Sequence, residues 1–358
     1  MSARGTLDIA VLPGDGIGPE IVDATLSVLE AVLDTYDVAW APRRLPIGFE
    51  ALNSVGTTMP ESSFEGARDA DGVILGPVSH NEYPPAAEGG VNPSGALRKR
   101  LDLYSNVRPA KTVEGLPGRV PGTMDLVIVR ENTEGFYADR TMHAGTGEFM
   151  PTPDLAMAMR KVTRAGSERI ARYAFELAQT RGKKLTAVHK ANVLRISDGL
   201  FLEAVREVRK DFPEVEYEEQ LVDAMAALLI RQADRYDVVV TTNMFGDILS
   251  DEATEISGSI GLAASLNVGT EHAVAQAQHG SAPTLAGKDL ANPSSLIGST
   301  AMLLEWMAVK FEDERLNSAA ADIRRAIEDA VKNPATRTGD LGGELGTKAF
   351  TQAVIERL

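Results

Sequence analysis

The chain has 358 residues, 44% of them hydrophobic, no cysteine and a formal net charge of −15. That length suits two domains or one large α/β unit, and the missing thiols exclude disulfides, cysteine nucleophiles and Cys-ligated zinc, as fits a cytoplasmic enzyme. The acidic balance argues against nucleic acid as the main partner, because phosphate binding needs a basic face.

No apolar run approaches the roughly 18 residues of a membrane-spanning helix. The start, MSARGTLDIAVLPGDG, lacks the charged and apolar regions of a signal peptide. Residues 7–12 (LDIAVL) read as a buried strand, and an amphipathic helix is expected over about 20–33. Between them stands Gly14-Asp15-Gly16-Ile17-Gly18-Pro19. A glycine-rich turn between strand and helix invites a phosphate cradle. The spacing is not G-x-G-x-x-G, however, and no Gly-Lys-Ser/Thr follows. A tight turn with Pro19 at the first helical position suits these residues better.

Residues 71–77 read as a second strand ending in a turn, and 79–93 as a loop rich in Pro, Gly and Asn. A helix opening at Asn92-Pro93-Ser94 carries Arg98, Lys99 and Arg100. Arg108 follows in an extended segment before Pro109. Arg130 closes the apolar strand 126–129. Arginine binds carboxylates as a planar, bidentate fork, and a charge at the end of a buried strand is hard to assign to the solvated surface.

The loop 131–137 ends in Tyr137, and residues 138–154 suit an exposed hairpin or arm. A long helix is expected over 160–181, with Ile170, Tyr173, Ala174, Leu177 and Ala178 as its buried stripe. Strand 184–189 ends at His189-Lys190-Ala191-Asn192, and helix 199–210 is stopped by Phe212-Pro213. Strand 215–222 gives way to Asp223 and an apolar helix through Ile230. In the stretch 238–255, VVVTTNMFGDILSDEATE, three β-branched residues read as a short buried strand. Asn243 and Gly246 read as breaks, with a helix starting near Asp247. Positions i and i+4 share a helical face, so Asp247 and Asp251 point the same way. Two carboxylates so placed can hold a hard cation such as Mg²⁺, which takes oxygen ligands; acids in a first helical turn also favour the macrodipole without binding anything. A glycine-rich segment 258–267, a polar loop 279–293, helices over 295–309 and 315–332 and a short final helix complete the chain. Strands and helices alternate throughout, which is the pattern of an α/β fold.

Seven motifs stand in order along the chain: LPGDGIGPE (12–20), LRKRLDLYSNVRPAK (97–111), VIVRENTEGFY (127–137), HKANVL (189–194), VDAMA (222–226), TTNMFGDILSDEA (241–253) and HGSAPTLAGKDLANP (279–293). Together they resemble the β-decarboxylating dehydrogenases, the family of isocitrate, homoisocitrate, 3-isopropylmalate and tartrate/D-malate dehydrogenases. The RENTEG and DLYSNVRP wording is similar to the isocitrate/homoisocitrate branch. The resemblance implies a two-domain α/β fold that is not a Rossmann fold. A large domain would come from 1–102 and 259–358, and a smaller one from 103–258. It also implies a homodimer whose active sites share residues between subunits.

The resemblance implies roles residue by residue. Arg98, Arg108 and Arg130 would hold substrate carboxylates. Asp247 and Asp251, with Asp223 of the partner subunit, would hold Mg²⁺ or Mn²⁺. Tyr137 and Lys190 of the partner subunit would be the acid–base pair. Asn192 would lie by the nicotinamide. His279, Gly280, Ser281, Ala282, Thr284, Ala286 and Asn292 would belong to the cofactor loop and its adenosine side. The chemistry asks for such groups. Oxidising a hydroxyl requires losing its proton as hydride leaves, and a lysine accepts it once burial and nearby positive charge lower its pKa. A bound cation polarises the hydroxyl and then the new ketone, so that CO₂ loss leaves a stabilised enolate. Tyr137 can then protonate the carbon.

Two stretches depart from the pattern. Most NAD-using relatives carry an Asp after His-Gly-Ser-Ala-Pro, where this chain has Thr284; the NADP pattern of Lys-Tyr is not met by Thr284-Leu285 either. With no cation there for a 2′-phosphate, and with Ala291 matching the NAD pattern, NAD is expected over NADP. Before Arg98, 3-isopropylmalate enzymes place leucines, whereas this chain has Asn92, Ser94 and Gly95. Asn92 and Ser94 suit a third carboxylate, so isocitrate or homoisocitrate is the expected substrate, with 3-isopropylmalate, D-malate and tartrate as alternatives. A non-catalytic regulatory subunit would be expected to have lost the tyrosine, the lysine or a metal aspartate, and all are present. A phosphoryl-transfer enzyme built on the GDGIG turn would lack its lysine and serine.

Overall fold

The first apolar run forms strand β1 (Leu7–Leu12), and the turn after it feeds helix α1 (Gly18–Thr35). The computed structural model describes residues 5–116, 118–120, 122–137, 142–143 and 145–358. The chain continues through β2 (Trp40–Arg44), α2 (Gly48–Val55), α3 (Glu61–Asp69), β3 (Gly72–Leu75), α4 (Pro93–Arg100), β4 (Ser105–Lys111) and β5 (Asp125–Glu131). Next come β6 (Glu148–Thr152), β7 (Leu155–Ala158), α5 (Arg164–Thr180), β8 (Lys184–His189), α6 (Ser197–Arg209), β9 (Glu216–Leu221), α7 (Val222–Gln232) and β10 (Val238–Thr241). Then follow α8 (Asn243–Ser257), β11 (Leu266–Val268), β12 (Ala273–Gln276), α9 (Ser294–Phe311), α10 (Glu314–Lys332) and α11 (Thr347–Ile355). The fold is α/β.

Two compact units result. The first comprises the described residues within Met1–Leu101, Val113–Pro117 and Gly258–Leu358. Its strands run in the order β2-β1-β3-β12-β11, parallel except for the β11–β12 pair. Strand β1 is buried on both faces, as parallel strands covered by helices are. Helix α1 turns Ile21, Val22, Val28, Leu29, Val32 and Leu33 into the core. Helix α9 is buried nearly all round, through Leu296, Ile297, Leu303, Leu304 and Met307, and α1, α10 and β12 pack against it. Leu75 of β3 pairs with Leu12 of β1 and with Gln276 of β12. The carboxyl ends of these three parallel strands therefore lie together, which is the side where open α/β sheets bind ligands.

The second unit comprises the described residues within Asp102–Thr112 and Gly118–Ser257. Its strands run β4-β5-β10-β8-β9, with β4 antiparallel to β5 and the rest parallel. Ile128, Val188 and Val239 form one core with Met225 and Leu229 of α7 and Leu249 and Ala253 of α8. Val238 and Val240 alternate with Val239 and face the other way, where α5 packs. A separate hairpin joins β6 to β7, with Phe149, Met150, Leu155 and Met157 exposed. It lies at the end of the segment read as an arm; residues 138–141 and 144 of that segment lie outside the described residues.

Some local expectations need correction. Helix α8 starts at Asn243 rather than near Asp247, and Gly246 lies inside it, its amide bonded to the Thr242 carbonyl at 2.9 Å. The stripe of α5 is Ile170, Ala171, Ala174, Phe175 and Ala178, with Tyr173 half-buried at its edge. Phe175 takes the core position because its ring stacks on Phe212 at 5.2 Å. Among the described residues, no helix is long and apolar enough to cross a membrane.

Candidate active site

In the antiparallel β4–β5 pair, Asn106 stands opposite Arg130. Arg108, two residues on, shares their face. Helix α8 lies over that face and lends Asn243, Asp247, Ser250 and Asp251 to it. Arg130, only 2% exposed at its side chain, donates from Nε and Nη2 to Asn243 Oδ1 at 3.0 and 2.7 Å, and from Nη1 to Asp247. Arg108 donates from Nη1 to Ser250 Oγ at 2.7 Å, Asp247 Oδ1 at 3.1 Å and Asp251 Oδ1 at 3.3 Å. Its Nε donates to Asn106 Oδ1. Burial, and then the neighbouring charge of Arg130, lower the Arg108 pKa to about 10, against the pull of the two carboxylates. Tyr137 donates its hydroxyl to Asp247 Oδ2 at 3.3 Å. Arg108, Arg130, Tyr137, Asp247 and Asp251 thus form one cluster.

Lys190 and Asp223 form a second cluster in the same unit. Strands β8 and β9 are parallel neighbours, with His189 opposite Leu221, so the residues just beyond them meet. Lys190 Nζ lies 2.6 Å from Asp223 Oδ1. Hydrogen bonding from Lys190, chiefly, holds the Asp223 carboxyl below its ordinary pKa. The backbone N–H of Lys190 donates to Asp198 Oδ2 at 2.6 Å, and fully buried Asp198 also takes Arg160. Asn192 stands exposed in the turn that follows. Among the described residues, no three or more His, Asp or Glu gather as a metal site, so the chain does not bring Asp223 to Asp247 and Asp251.

In the first unit, Asn92 caps α4, its Oδ1 accepting from Gly95 N at 3.1 Å. Buried Ser94 donates to Gln276 Oε1 at 3.0 Å. Both side chains read as substrate contacts therefore already have protein partners. Arg98 lies one turn after Ser94 on the same helical face.

The loop after β12 borders a cleft of about 250 Å³, lined among others by His279, Gly280, Ala282, Ala291, Asn292 and Asp340. His279 Nδ1 is 3.0 Å from Gly280 O, and its enclosed Nε2 has no protein partner. Burial lowers its pKa, so the ring is neutral at pH 7. Asn292 Nδ2 donates to Asp340 Oδ2 at 3.1 Å. Thr284, Ala286 and Ser281 are not part of this lining. Ser281 turns instead to the glycine-rich turn: its carbonyl accepts from Ile17 N at 2.8 Å, and its hydroxyl bonds Ser79 Oγ at 2.8 Å. Asp15 in that turn accepts from Phe49 N, Ser79 N and the Tyr83 hydroxyl. The turn thus braces the loop that carries His279.

Sequence reasoning missed Asn243, Ser250, Asp198, Gln276 and Asp340. Asn243 and Ser250 lie inside the motif TTNMFGDILSDEA, and a helix that starts at Asn243 places them beside Asp247. Nothing local marks Asp198 or Gln276.

The sequence profile described as isocitrate/isopropylmalate dehydrogenase matches residues 8–358. A 3-isopropylmalate dehydrogenase from Archaeoglobus fulgidus is 40% identical over 351 residues, covering 98% of this chain and 99% of its own. An isocitrate/homoisocitrate dehydrogenase from Thermus thermophilus is 42% identical over 352 residues, covering 98% of each chain. The crystal structure of an isocitrate dehydrogenase from Methylococcus capsulatus superposes with a TM-score of 0.86 at 39% identity, covering 98% of this chain and 99% of that one. Identities of 40% and 42% do not separate the substrates these names carry.

Proposed function

The chain belongs to the isocitrate/isopropylmalate dehydrogenase family, and from that premise we propose that it oxidises and decarboxylates isocitrate or homoisocitrate, with NAD as hydride acceptor and Mg²⁺ or Mn²⁺ as metal. The observation that carries this reading is the pair of buried guanidiniums, Arg108 and Arg130, gathered beneath Asp247 and Asp251. The two aspartates fit a divalent cation. They offer hard oxygens one helical turn apart, and Asp251 is 55% exposed, leaving room for other ligands.

When bound, the cation supplies Lewis-acid polarisation of the substrate oxygens, and the nicotinamide supplies the hydride acceptor. The protein's own groups do the rest. Arg108 and Arg130 grip carboxylates as bidentate forks. Lys190 takes the hydroxyl proton, with Asp198 fixing its backbone. Tyr137 delivers a proton to the carbon that the carboxylate leaves. Half-buried His279 borders the cleft that suits the adenosine, and Thr284-Leu285 carries no cation for a 2′-phosphate, which favours NAD over NADP.

A homodimer with shared sites follows from the same reading. One chain gathers only two of the three metal carboxylates, so Asp223 of the partner subunit would complete the set, bringing Lys190 of the partner subunit with it. The exposed apolar hairpin supports a partner made of the same chain. A second reading, 3-isopropylmalate oxidation, draws on the Archaeoglobus relative.

Initial rates with Mn²⁺, crossing NAD and NADP against isocitrate, homoisocitrate, 3-isopropylmalate, D-malate and tartrate, test the proposal. NAD-linked turnover dominated by isocitrate or homoisocitrate is expected. Dominant turnover of 3-isopropylmalate would favour the second reading, and none with any pair would point to a non-catalytic subunit.

A further inference from the structure

Gln276 ends β12, at the carboxyl edge of the parallel strands, and its side-chain amide is held by one atom. Both of its side-chain hydrogen bonds end on Oε1, from Ser94 Oγ at 3.0 Å and from Asn267 Nδ2 at 3.4 Å. Asn267 Nδ2 also reaches the Val274 carbonyl at 3.4 Å, so the asparagine is set as the donor. A carbonyl oxygen facing two donors fixes which way the glutamine amide points. Its Nε2 is left without a protein acceptor among the described residues and is not sealed from solvent. Ser94, having given its proton to Gln276, presents only lone pairs.

We propose that Gln276 is a specificity-determining residue that reads the distal substituent of the substrate, its amide nitrogen donating to a carboxylate there. This inference rests on the reading of the chain as a 2-hydroxy-acid dehydrogenase. A carboxylate needs donors, and Ser94 in this bonding state is not one; the donor passes to Gln276 Nε2. Arg98, on the Ser94 face of α4, adds the positive charge that makes the corner suit an anion. An alkyl substituent would leave the amide N–H facing hydrocarbon, and a site built to hydrogen-bond rejects an analogue that lacks the partner. The corner therefore selects a third carboxylate over an isopropyl group.

The test compares wild type, Gln276→Glu and Gln276→Leu with isocitrate, homoisocitrate and D-malate, the last lacking the distal group. Gln276→Glu keeps an acceptor for Ser94 and replaces the donor with a repelling charge. It should lower kcat/KM for the tricarboxylates roughly 10- to 150-fold, the worth of a hydrogen bond to a charged group, and leave D-malate within about threefold. Gln276→Leu should shift the same ratio in the same direction with a smaller fall. Melting temperatures check that both variants fold. A ratio unchanged in both variants, or equal losses on all substrates, overturns the inference while leaving the decarboxylation reading intact. If wild type turns over nothing, calorimetric binding of isocitrate with Mn²⁺ decides. Binding lost in Gln276→Glu keeps the inference and removes the reaction; equal binding in both removes the inference.

Discussion

Gly246 and Arg130 meet with no room for a methyl group between them: a Cβ on the glycine would stand 2.7 Å from both Cβ and Cγ of Arg130. That close approach lets α8 sit low on β5. Asn243, one turn earlier on the helix, then takes two guanidinium N–H groups of Arg130, and Asp247, the next residue, takes the third.

Gly246→Ala should therefore destabilise the protein. In a helix interior, alanine ordinarily gains up to about 1 kcal/mol over glycine. Here the clash is with atoms next to the backbone, and overpacking of that kind costs about 1–3 kcal/mol, so the clash wins. Urea unfolding should show a lower midpoint, and KM for the hydroxy acid should rise as Arg130 shifts. A midpoint at or above wild type would show that α8 rides higher than described.

Asp247 and Asp251 should part company when each is replaced by alanine. Asp247 answers both buried arginines and Tyr137, whereas Asp251 reaches Arg108 at 3.3 Å from a side chain 55% exposed. Losing Asp247 strands two guanidiniums and should cost about 2 kcal/mol, less than the 3–5 of a fully enclosed pair because its carboxylate is partly screened. Losing Asp251 should cost under about 1 kcal/mol. On the proposed function Mn²⁺ should raise the Tm of wild type, and both variants should forfeit that rise. Equal destabilisation by the two, or an Asp251→Ala protein still stabilised by Mn²⁺, would contradict this account.

The pH dependence of stability has a sign that can be worked out. Burial lowers the pKa of His279 and of His189. Above the unfolded value near 6.5, both states are neutral and the stabilising contribution is whole. As pH falls below about 6.5 the unfolded chain takes the proton first, so stability drops, levelling once the folded ring protonates. Glu131 works the other way: burial raises its carboxyl, so its contribution is present at low pH and fades as pH rises through its folded pKa. Comparing urea stabilities at about pH 7.5 and about pH 5.5, His279→Asn should lose less than wild type. Identical losses would remove His279 from the balance.

Much of the frame is legible in the sequence because apolar runs mark buried strands: LDIAVL, GVIL and VVV are all strands. Strand β2 escapes the same reading because Trp40–Arg44 lies at the end of the strand order with a mostly exposed pattern and a proline inside. The sequence places the start of helix α8 near Asp247 rather than at Asn243, because Gly246 reads as a breaker until its neighbour Arg130 is known. The charged residues of the site were visible through their motifs, but their partners were not. Gln276 lies 182 positions from Ser94, and the three donors to Asp15 come from up to 68 positions away. Pairings of that reach follow from strand register, which no local pattern records.

The last of these, Asp15, should prove structural in origin and functional in effect. It accepts from Phe49 N at 2.8 Å, from Ser79 N at 2.9 Å and from the Tyr83 hydroxyl. Asp15→Ala strands two main-chain amides, at about 1–3 kcal/mol each, whereas Tyr83→Phe removes one donor and should cost about 1 kcal/mol. Ser79 in turn holds Ser281, whose carbonyl takes Ile17 N, so the loop bearing His279 loosens when Asp15 goes. Asp15→Ala should lower stability by about 2 kcal/mol or more and raise KM for NAD more than KM for the hydroxy acid. Tyr83→Phe should leave the NAD KM near wild type. If the two variants move the NAD KM equally, the effect runs through Tyr83 rather than through the Ser79–Ser281 contact, and the brace described here is not what holds the loop.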